Sequence, residues 1–331
     1  MPAHTPDTTS VASWVADATM APSMHNAQPW LFHYAEAENE LRLLMDATRA
    51  MPRSDPSGRG LHLGCGTALF NLRVAAAQAG WEPRVRLMPE ATGPETLAMI
   101  TFVQPVESDE VAELYPAIRR RHTSREPFSD EAVPPALLDG LRGAARAEGA
   151  RLDLPGDWQV EWIQQLVWDA EFEEGLSQAV REELARWISG TDDDPRTGAA
   201  RPEGIPLYAL GPRRYDGRAP VRDFAGGRYV EGRGSAVFED APCLAVLGTR
   251  EDERKDWLRA GQAMERVLLQ ATQDGLSTSL NSQVLEWPEL RRALRDPVSG
   301  AEYPQMLIRL GYGPEAPDTP RRPLSEVLVI I

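Results

Sequence analysis

Seven consecutive positions, Arg119 to Arg125, hold four arginines, one histidine and two hydroxyl side chains. Guanidinium groups and hydroxyls crowded at a helix end can grip a phosphate through paired, charge-assisted hydrogen bonds. The same cluster could instead be a solvated basic helix terminus that complements the helix dipole. A second polar concentration, Ala21-Pro22-Ser23-Met24-His25-Asn26-Ala27-Gln28-Pro29-Trp30, reads as a helix end, a tight loop and the start of a strand. Such a loop offers backbone N–H groups, a hydroxyl and two carboxamides to one point, which suits the edge of a polar heterocycle. Its amides could equally satisfy backbone. A third segment, Leu61-His62-Leu63-Gly64-Cys65-Gly66-Thr67-Ala68, looks like the glycine loop of a nucleotide- or methyl-donor-binding protein. A loop of that kind follows a buried strand, whereas Ser54-Asp55-Pro56-Ser57-Gly58-Arg59 is a turn, and Ala68 stands in place of the third glycine. We read it as a helix whose small residues permit close packing; a methyltransferase built on it is the third function class considered.

The chain has 331 residues, 42% of them apolar, and a formal net charge of −15. That acidity argues against a nucleic acid or an anionic membrane surface as partner, since both reward a basic face. Lys255 is the single lysine, so arginine supplies the rest of the basic residues. Cys65 and Cys243 make no disulfide framework and no Cys-x-x-Cys zinc spacing. The histidines (His4, His25, His33, His62, His122) never fall at a metal-ligand spacing with a carboxylate, so no metal is expected. Residues 1–6 carry no basic region followed by an apolar run, and no stretch nears 18 uninterrupted apolar residues. The expectation is a cytoplasmic protein acting on a small molecule.

Periodicity and punctuation place these segments on elements. Val11, Trp14, Val15 and Ala18 recur at helical spacing over residues 7–20, with Thr8 or Thr9 as cap. Residues 30–34 and 41–45 read as a hairpin, and residues 61–80 as a long helix behind a polar loop. Residues 97–103 read as a strand, 109–121 and 135–147 as helices, and 159–187 as one long helical stretch. Residues 191–234 break the pattern, and a connection of that length reads as a lid or a flexible excursion. A strand over 243–248, helices over 257–274 and 287–294, and a strand over 305–310 follow. Hairpins beside long helices predict an α+β layered fold rather than a regular βαβ array.

Together, the Arg121-His122-Thr123-Ser124-Arg125-x-x-Phe128 run and the Pro22-Ser23-x-x-Asn26-x-Gln28-Pro29-Trp30 loop resemble two motifs of the nitroreductase superfamily of flavoproteins. The first resembles the family's segment at the FMN phosphate and the pyrimidine edge. The second resembles the loop that a partner subunit lends to the same flavin. Residues 64–80 resemble the family's long central helix, and residues 261–275 its second copy. Gly311-Tyr312-Gly313-Pro314 with Pro320-Arg321-Arg322-Pro323-Leu324 resembles its closing strand and basic phosphate contact. Each half of the chain keeps a complementary half of the site. That arrangement resembles the Acg-type branch, whose chains are two fused nitroreductase-like halves with a lid able to cover the flavin. The resemblance covers nearly the whole chain except about residues 158–234.

The resemblance implies an α+β nitroreductase-like fold whose two halves form an intramolecular pseudo-dimer. The N-terminal half is placed at 1–105 and the C-terminal half at 106–331, with a lid-like insertion at about 190–235. FMN is the implied cofactor, NAD(P)H the electron donor, and the acceptor a small aromatic, quinone or nitro compound. Arg121, Thr123 and Arg321, with Arg322, are assigned to the phosphate, and His122 lies within the same motif. Arg125 stands where the family often has lysine, keeping a cation beside the flavin's N1–C2=O edge. Pro22, Ser23, Met24 and Asn26 come from the other half, and Gln28 serves either the flavin or the loop's own backbone. Asn281 and Ser282 lie where the family presents backbone groups to flavin N5. No catalytic acid or base is assigned, because the acceptor's proton often comes from solvent. The alternative is a protein that sequesters FMN with little or no turnover. A monomer is expected, since the family's subunit interface is already used within one chain, with a weak homodimer as the alternative.

Overall fold

Helix α1 (Thr8–Ala18) starts where Asp7 Oδ1 accepts the Ser10 N–H at 2.7 Å. In the computed structural model, which describes residues 5–90, 93–104, 110–189, 202–295 and 302–331, the cap is therefore Asp7, not Thr8 or Thr9. A carboxylate there also faces the positive end of the helix dipole. Val11, Trp14, Val15 and Ala18 are all buried, as their spacing predicts. The hairpin forms as β1 (Trp30–Ala35) and β2 (Glu40–Met45), antiparallel, with Phe32 opposite Leu43. A loop over residues 51–58 leads into α2 (Arg59–Gln78) through Gly58, whose φ of 74° is left-handed. No side chain caps α2 at that residue, but Asp55 Oδ2 accepts the Leu61 N–H at 2.9 Å. Strands β3 (Glu82–Leu87) and β4 (Thr96–Val103) follow.

Residues 110–117 form a 3₁₀ helix where an α-helix was expected; Pro116 inside it lacks the N–H that an α turn would use. Helix α3 (Pro135–Ala147) has its expected bounds, with Pro135 at the first position, where a missing N–H costs nothing. After β5 (Arg151–Asp153), the expected single helix divides into α4 (Asp157–Leu176) and α5 (Gln178–Arg186). The break is Ser177, whose ψ of 100° leaves the helical region and which then caps α5. Of the expected lid, residues 190–201 lie outside the described residues. Around them, β6 (Ile188–Ser189) pairs in parallel with β7 (Ile205–Pro206), and β8 (Arg213–Asp216) with β9 (Ser235–Val237). The chain continues through β10 (Cys243–Thr249), α6 (Arg254–Gln273), β11 (Ser277–Asn281), α7 (Pro288–Leu294), β12 (Tyr303–Gly311), α8 (Leu324–Val327) and β13 (Leu328–Ile330).

Two sheets result. The first has the order β13-β1-β2-β4-β3, antiparallel except that β13 runs parallel to β1, with Leu328 opposite Phe32. The second, β11-β12-β10-β5, is antiparallel throughout. Trp14, Phe32, Leu43 and Leu69 belong to the core between the first sheet and helices α1 and α2. Leu141, Leu247, Leu268 and Ile308 fill the space between α3, α6 and one face of the second sheet, while Ile163, Leu166, Leu244 and Leu307 join its other face to α4.

Helices α2 and α6 cross at glycines. A Cβ on Gly66 would lie 2.9 Å from Gly261 Cα and closer still to Leu258 O; one on Gly261 would press into Leu63 O. Gly66 thus serves a helix crossing, and Gly64 packs on Ser23 and Pro29; the run is no nucleotide loop, which removes the structural basis of the methyltransferase reading. Among the described residues, no helix is long and apolar enough to cross a membrane.

Candidate functional site

The loop over residues 22–29 joins α1 to β1 in an unusual backbone. His25, Asn26 and Gln28 have φ of 49°, 57° and 53°, a region that costs a non-glycine residue roughly 1–2 kcal/mol. Hydrogen bonds offset that strain. The Gln28 N–H donates to Ser23 Oγ at 2.9 Å, and Thr67 Oγ1 on α2 donates to Pro22 O at 2.7 Å. Asn26 Nδ2 donates to Gly204 O at 3.0 Å and to Pro320 O at 3.1 Å. Gln28 Nε2 donates to Pro202 O at 2.7 Å, and its Oε1 accepts the Arg322 N–H at 2.8 Å. Both carboxamides therefore tie the loop to residues 202–204 and 320–322 rather than facing a ligand.

Residues 119–125 bridge to the second sheet, where the Ser124 N–H donates to Thr278 O at 2.8 Å. Arg121 is buried: its Nη2 donates to Met20 O at 3.1 Å, and its Nε lies 3.5 Å from Glu265 Oε1. Arg121 Nε and Nη1 have no hydrogen-bond partner. Arg321 reaches the same carbonyl, its Nη2 donating to Met20 O at 3.0 Å and its Nε to Thr19 O at 2.8 Å. Two guanidinium groups thus converge just past α1, where its free carbonyls attract cations. Burial, then repulsion by Arg121, pushes the Arg321 guanidinium down to about 9. Burial also lifts the Glu265 carboxyl to about 7, with Arg121 opposing. One reluctant carboxylate beside two buried cations makes a place that favours a further anion.

A cleft opens beside this pair. Its walls include Pro22, Ser23, Met24 and His25 from the loop, Thr123 and Arg125 from the basic segment, and Ser282 after β11. Ser54 and Asp55 line it as well, and Glu183 on α5 fixes their loop by accepting the Ser54 N–H at 2.9 Å. Ile205 and Phe224, from the irregular segment that follows residue 201, line it too. The space left is about 70 Å³, far below the roughly 300–1,000 Å³ of a small-molecule pocket.

Phe224 is flanked by cations on that wall. The Arg125 and Arg222 guanidinium groups lie 5.2 and 5.3 Å from its ring centroid. Arg125 Nη1 donates to Ala209 O at 3.1 Å; burial pushes this guanidinium down to about 10, and it has no carboxylate partner among the described residues. Burial, then Arg222 and Arg125, holds the His25 imidazole well below the usual histidine range. It is therefore neutral at pH 7, and its buried Nε2 has no hydrogen-bond partner. Arg222 donates to both Glu286 carboxylate oxygens, at 2.7 and 3.0 Å, and lies 3.0 Å from Glu174. Although burial opposes it, Glu286 and Glu174 hold the Arg222 guanidinium above its usual range. Ser282 Oγ donates to Glu286 Oε1 at 2.8 Å, so Arg222 and its segment are tied to the cleft wall.

Among the residues expected to hold the cofactor, Pro22, Ser23, Met24, Thr123, Arg125 and Ser282 line the cleft. Arg121 and Arg321 meet outside its walls, at the end of α1. Asn26 and Gln28 hold loop, lid and C-terminal arm together. Arg322 does the same, donating to Gln28 O at 3.2 Å and pairing with Asp46 at 3.2 Å. His122 Nε2 lies 3.2 Å from Asp318, an exposed carboxylate. Asn281 turns back to accept the Gln283 N–H at 3.1 Å. Sequence reading missed Phe224, Arg222 and Glu286. The one signal for Phe224 and Arg222 is an aromatic residue next to a charged pair within an otherwise polar, irregular segment; Glu286, in the turn after β11, has none.

The Nitroreductase family model matches residues 118–312. A Mycobacterium tuberculosis (strain ATCC 25618 / H37Rv) protein named "Putative NAD(P)H nitroreductase Rv3131" is 34% identical over 99% of this chain and 93% of its own length. A second, named "Putative NAD(P)H nitroreductase acg", is 32% identical over 99% of this chain and 97% of its own length. The solved FMN-dependent nitroreductase NfnB from Mycobacterium smegmatis, in complex with NADPH, aligns with 66% of this chain and 97% of its own. Its identity is 19% and its TM-score 0.41. The family model spans more than half of the sequence and the two relatives run along nearly all of it, so the chain belongs to the nitroreductase family.

Proposed function

We propose that this chain is an FMN-dependent oxidoreductase that takes a hydride from NAD(P)H and passes it to a small aromatic, quinone or nitro acceptor. The observation that carries the reading is one cleft built from two distant stretches, Pro22 to His25 and Thr123 with Arg125. We take the halves to divide near residue 105, with α8 and β13 crossing back to the first sheet. The relatives' names support the nicotinamide donor.

The chemistry of the residues present suits FMN. Arg121, with two buried N–H groups lacking partners, and Arg321 would hold the phosphate, because a dianion relieves their mutual repulsion. FMN, when bound, supplies the two-electron chemistry that links donor to acceptor. Arg125 is a buried cation on the cleft wall, so it stabilises negative charge that develops beside it. Neutral His25 offers Nε2 as a hydrogen-bond acceptor, or as a donor in the other tautomer, and adds no charge at pH 7. Phe224 excludes water and must withdraw before a ring system can enter, given the 70 Å³ left around it.

The purified protein is expected to be yellow and to release close to one FMN per chain on denaturation. Colourless protein that fails to retain added FMN would overturn the reading. The Arg222–Glu286–Glu174 latch favours a second reading, an FMN-sequestering protein with little turnover. Anaerobic NADH and NADPH separate the two: bleaching of the flavin band supports the enzyme, and a persistent oxidised spectrum supports sequestration.

A further inference from the structure

One face of α4 differs from the rest of this acidic surface. Trp158, Trp162, Trp168, Phe172 and Leu176 are 65, 48, 59, 66 and 66% exposed. Ile163, Leu166, Val167 and Ala170 bury the other side of the same helix. At 3.6 residues per turn the five exposed positions fall on one stripe about 120° wide. α4 is already seated by its buried side; of the stripe, Trp162 also donates its Nε1–H to Ala293 O at 3.2 Å, and with Trp158 it lines a cavity of about 560 Å³ against residues 292–295.

Aromatic side chains present about 150–250 Å² each, so this stripe exposes on the order of 500 Å² of apolar surface. That is at the upper end of the largest patches found on soluble monomers, roughly 300–600 Å². It is also most of the ~800 Å² that each partner brings to a standard interface. The spacing is palindromic: Val167 is the midpoint of Trp158 and Leu176, and equally of Trp162 and Phe172, with Trp168 beside it. A two-fold axis crossing α4 at Val167 would set each of these residues against its counterpart on an antiparallel copy, the self-complementary pattern of an isologous contact. Glu161 and Glu173 share the same midpoint and would meet as like charges. Arg218 already lies 3.2 Å from Glu161 Oε1, where it can bridge to Glu173 of the partner subunit. A net charge of −15 disfavours an anionic bilayer as the occupant.

We propose that this face is the interface of a homodimer in which a second copy of the chain docks antiparallel along α4. The inference stands apart from FMN binding. Sedimentation velocity of the full chain at tens of micromolar is expected to give about twice the 36.6 kDa of one chain. Trp168→Glu combined with Phe172→Glu should raise the dissociation constant by about 100-fold or more. Both sites are more than half exposed, so circular dichroism and melting temperature should not change. Wild-type protein that sediments as a monomer overturns the proposal without any variant. So does a dimer insensitive to both substitutions, or a monomer whose tryptophan-rich face binds vesicles instead.

Discussion

Phe224 lies edge-on against the imidazole of His25, with ring centroids 5.6 Å apart and planes at 81°. The Phe224 side chain thus sits against the loop over residues 22–29, between the Arg125 and Arg222 guanidinium groups. Opening the cleft breaks an aromatic pair and two cation–π contacts, together about 1–3 kcal/mol.

Phe224→Ala should therefore speed FMN uptake by the apo-protein by about 10–100-fold. Stopped-flow quenching of flavin fluorescence measures this directly. An unchanged uptake rate would show that Phe224 does not gate the cleft.

Arg222→Met should be among the most destabilising single changes in the lid. It leaves Glu286 and Glu174 as buried carboxylates without their cation, a loss of about 3–5 kcal/mol when a buried pair is broken on one side. Calorimetry should show a lower melting temperature, partly restored by adding Glu286→Gln. A variant that melts like the parent would mean the latch adds nothing to stability.

Glu265 makes stability depend on pH in a defined direction. Its carboxyl titrates near 4.5 in the unfolded chain and at about 7 when folded, because burial outweighs the attraction of Arg121. Below 4.5 both states hold the proton. Between these values only the unfolded chain releases it, so this group's contribution falls as pH rises through the window and is constant above it. Glu265→Gln cannot ionise, so its advantage over the parent should grow from near zero around pH 4 to at most about 3 kcal/mol around pH 8. Urea unfolding of both proteins across that range tests it, and a gap that stays flat with pH refutes the assignment.

Gly66→Ala should loosen the crossing of α2 and α6. The added methyl meets backbone of α6 at Leu258 and Gly261, which cannot rotate aside, so overpacking of about 1–3 kcal/mol is expected. Gly80→Ala is no control for packing, because Gly80 has a φ of 81°. Gly143→Ala is the better one: no neighbour comes near its added methyl, and in the helix interior alanine should be neutral or stabilising. Equal melting temperatures for Gly66→Ala and the parent would contradict the crossing.

What the sequence showed plainly was whatever depends on near neighbours. The spacing of Val11, Trp14, Val15 and Ala18 fixed a buried face, and the run from Trp30 to Met45 fixed a hairpin. Local signals also misled: Pro116 turned an expected α-helix into a 3₁₀ helix, and Ser177 cut one helix into two. β3 escaped notice because its alternating Glu82, Arg84 and Arg86 resemble a solvated loop. The two loops that stand out in the sequence do meet at one cleft, but the sequence could not aim their side chains. Asn26 and Gln28 look like ligand groups because a carboxamide suits a heterocycle and a carbonyl equally well. Only the approach of residues 202–204 and 320–322 decides between them. Phe224 and Arg222 lie in a segment without periodicity, so their partners across the chain leave no local trace.

The parallel pairing of β13 with β1 has a consequence for synthesis of the protein. Leu328 is made about 300 residues after Phe32, so at about 5–20 residues per second the outer edge of β1 waits roughly 15–60 s for its neighbour. During that interval the ribosome carries a nascent sheet with an open rim and a row of unpaired amide groups, a template for pairing with another chain. Expression yield should therefore respond to translation speed and to holdase chaperones more strongly than the melting temperature of the finished protein would suggest.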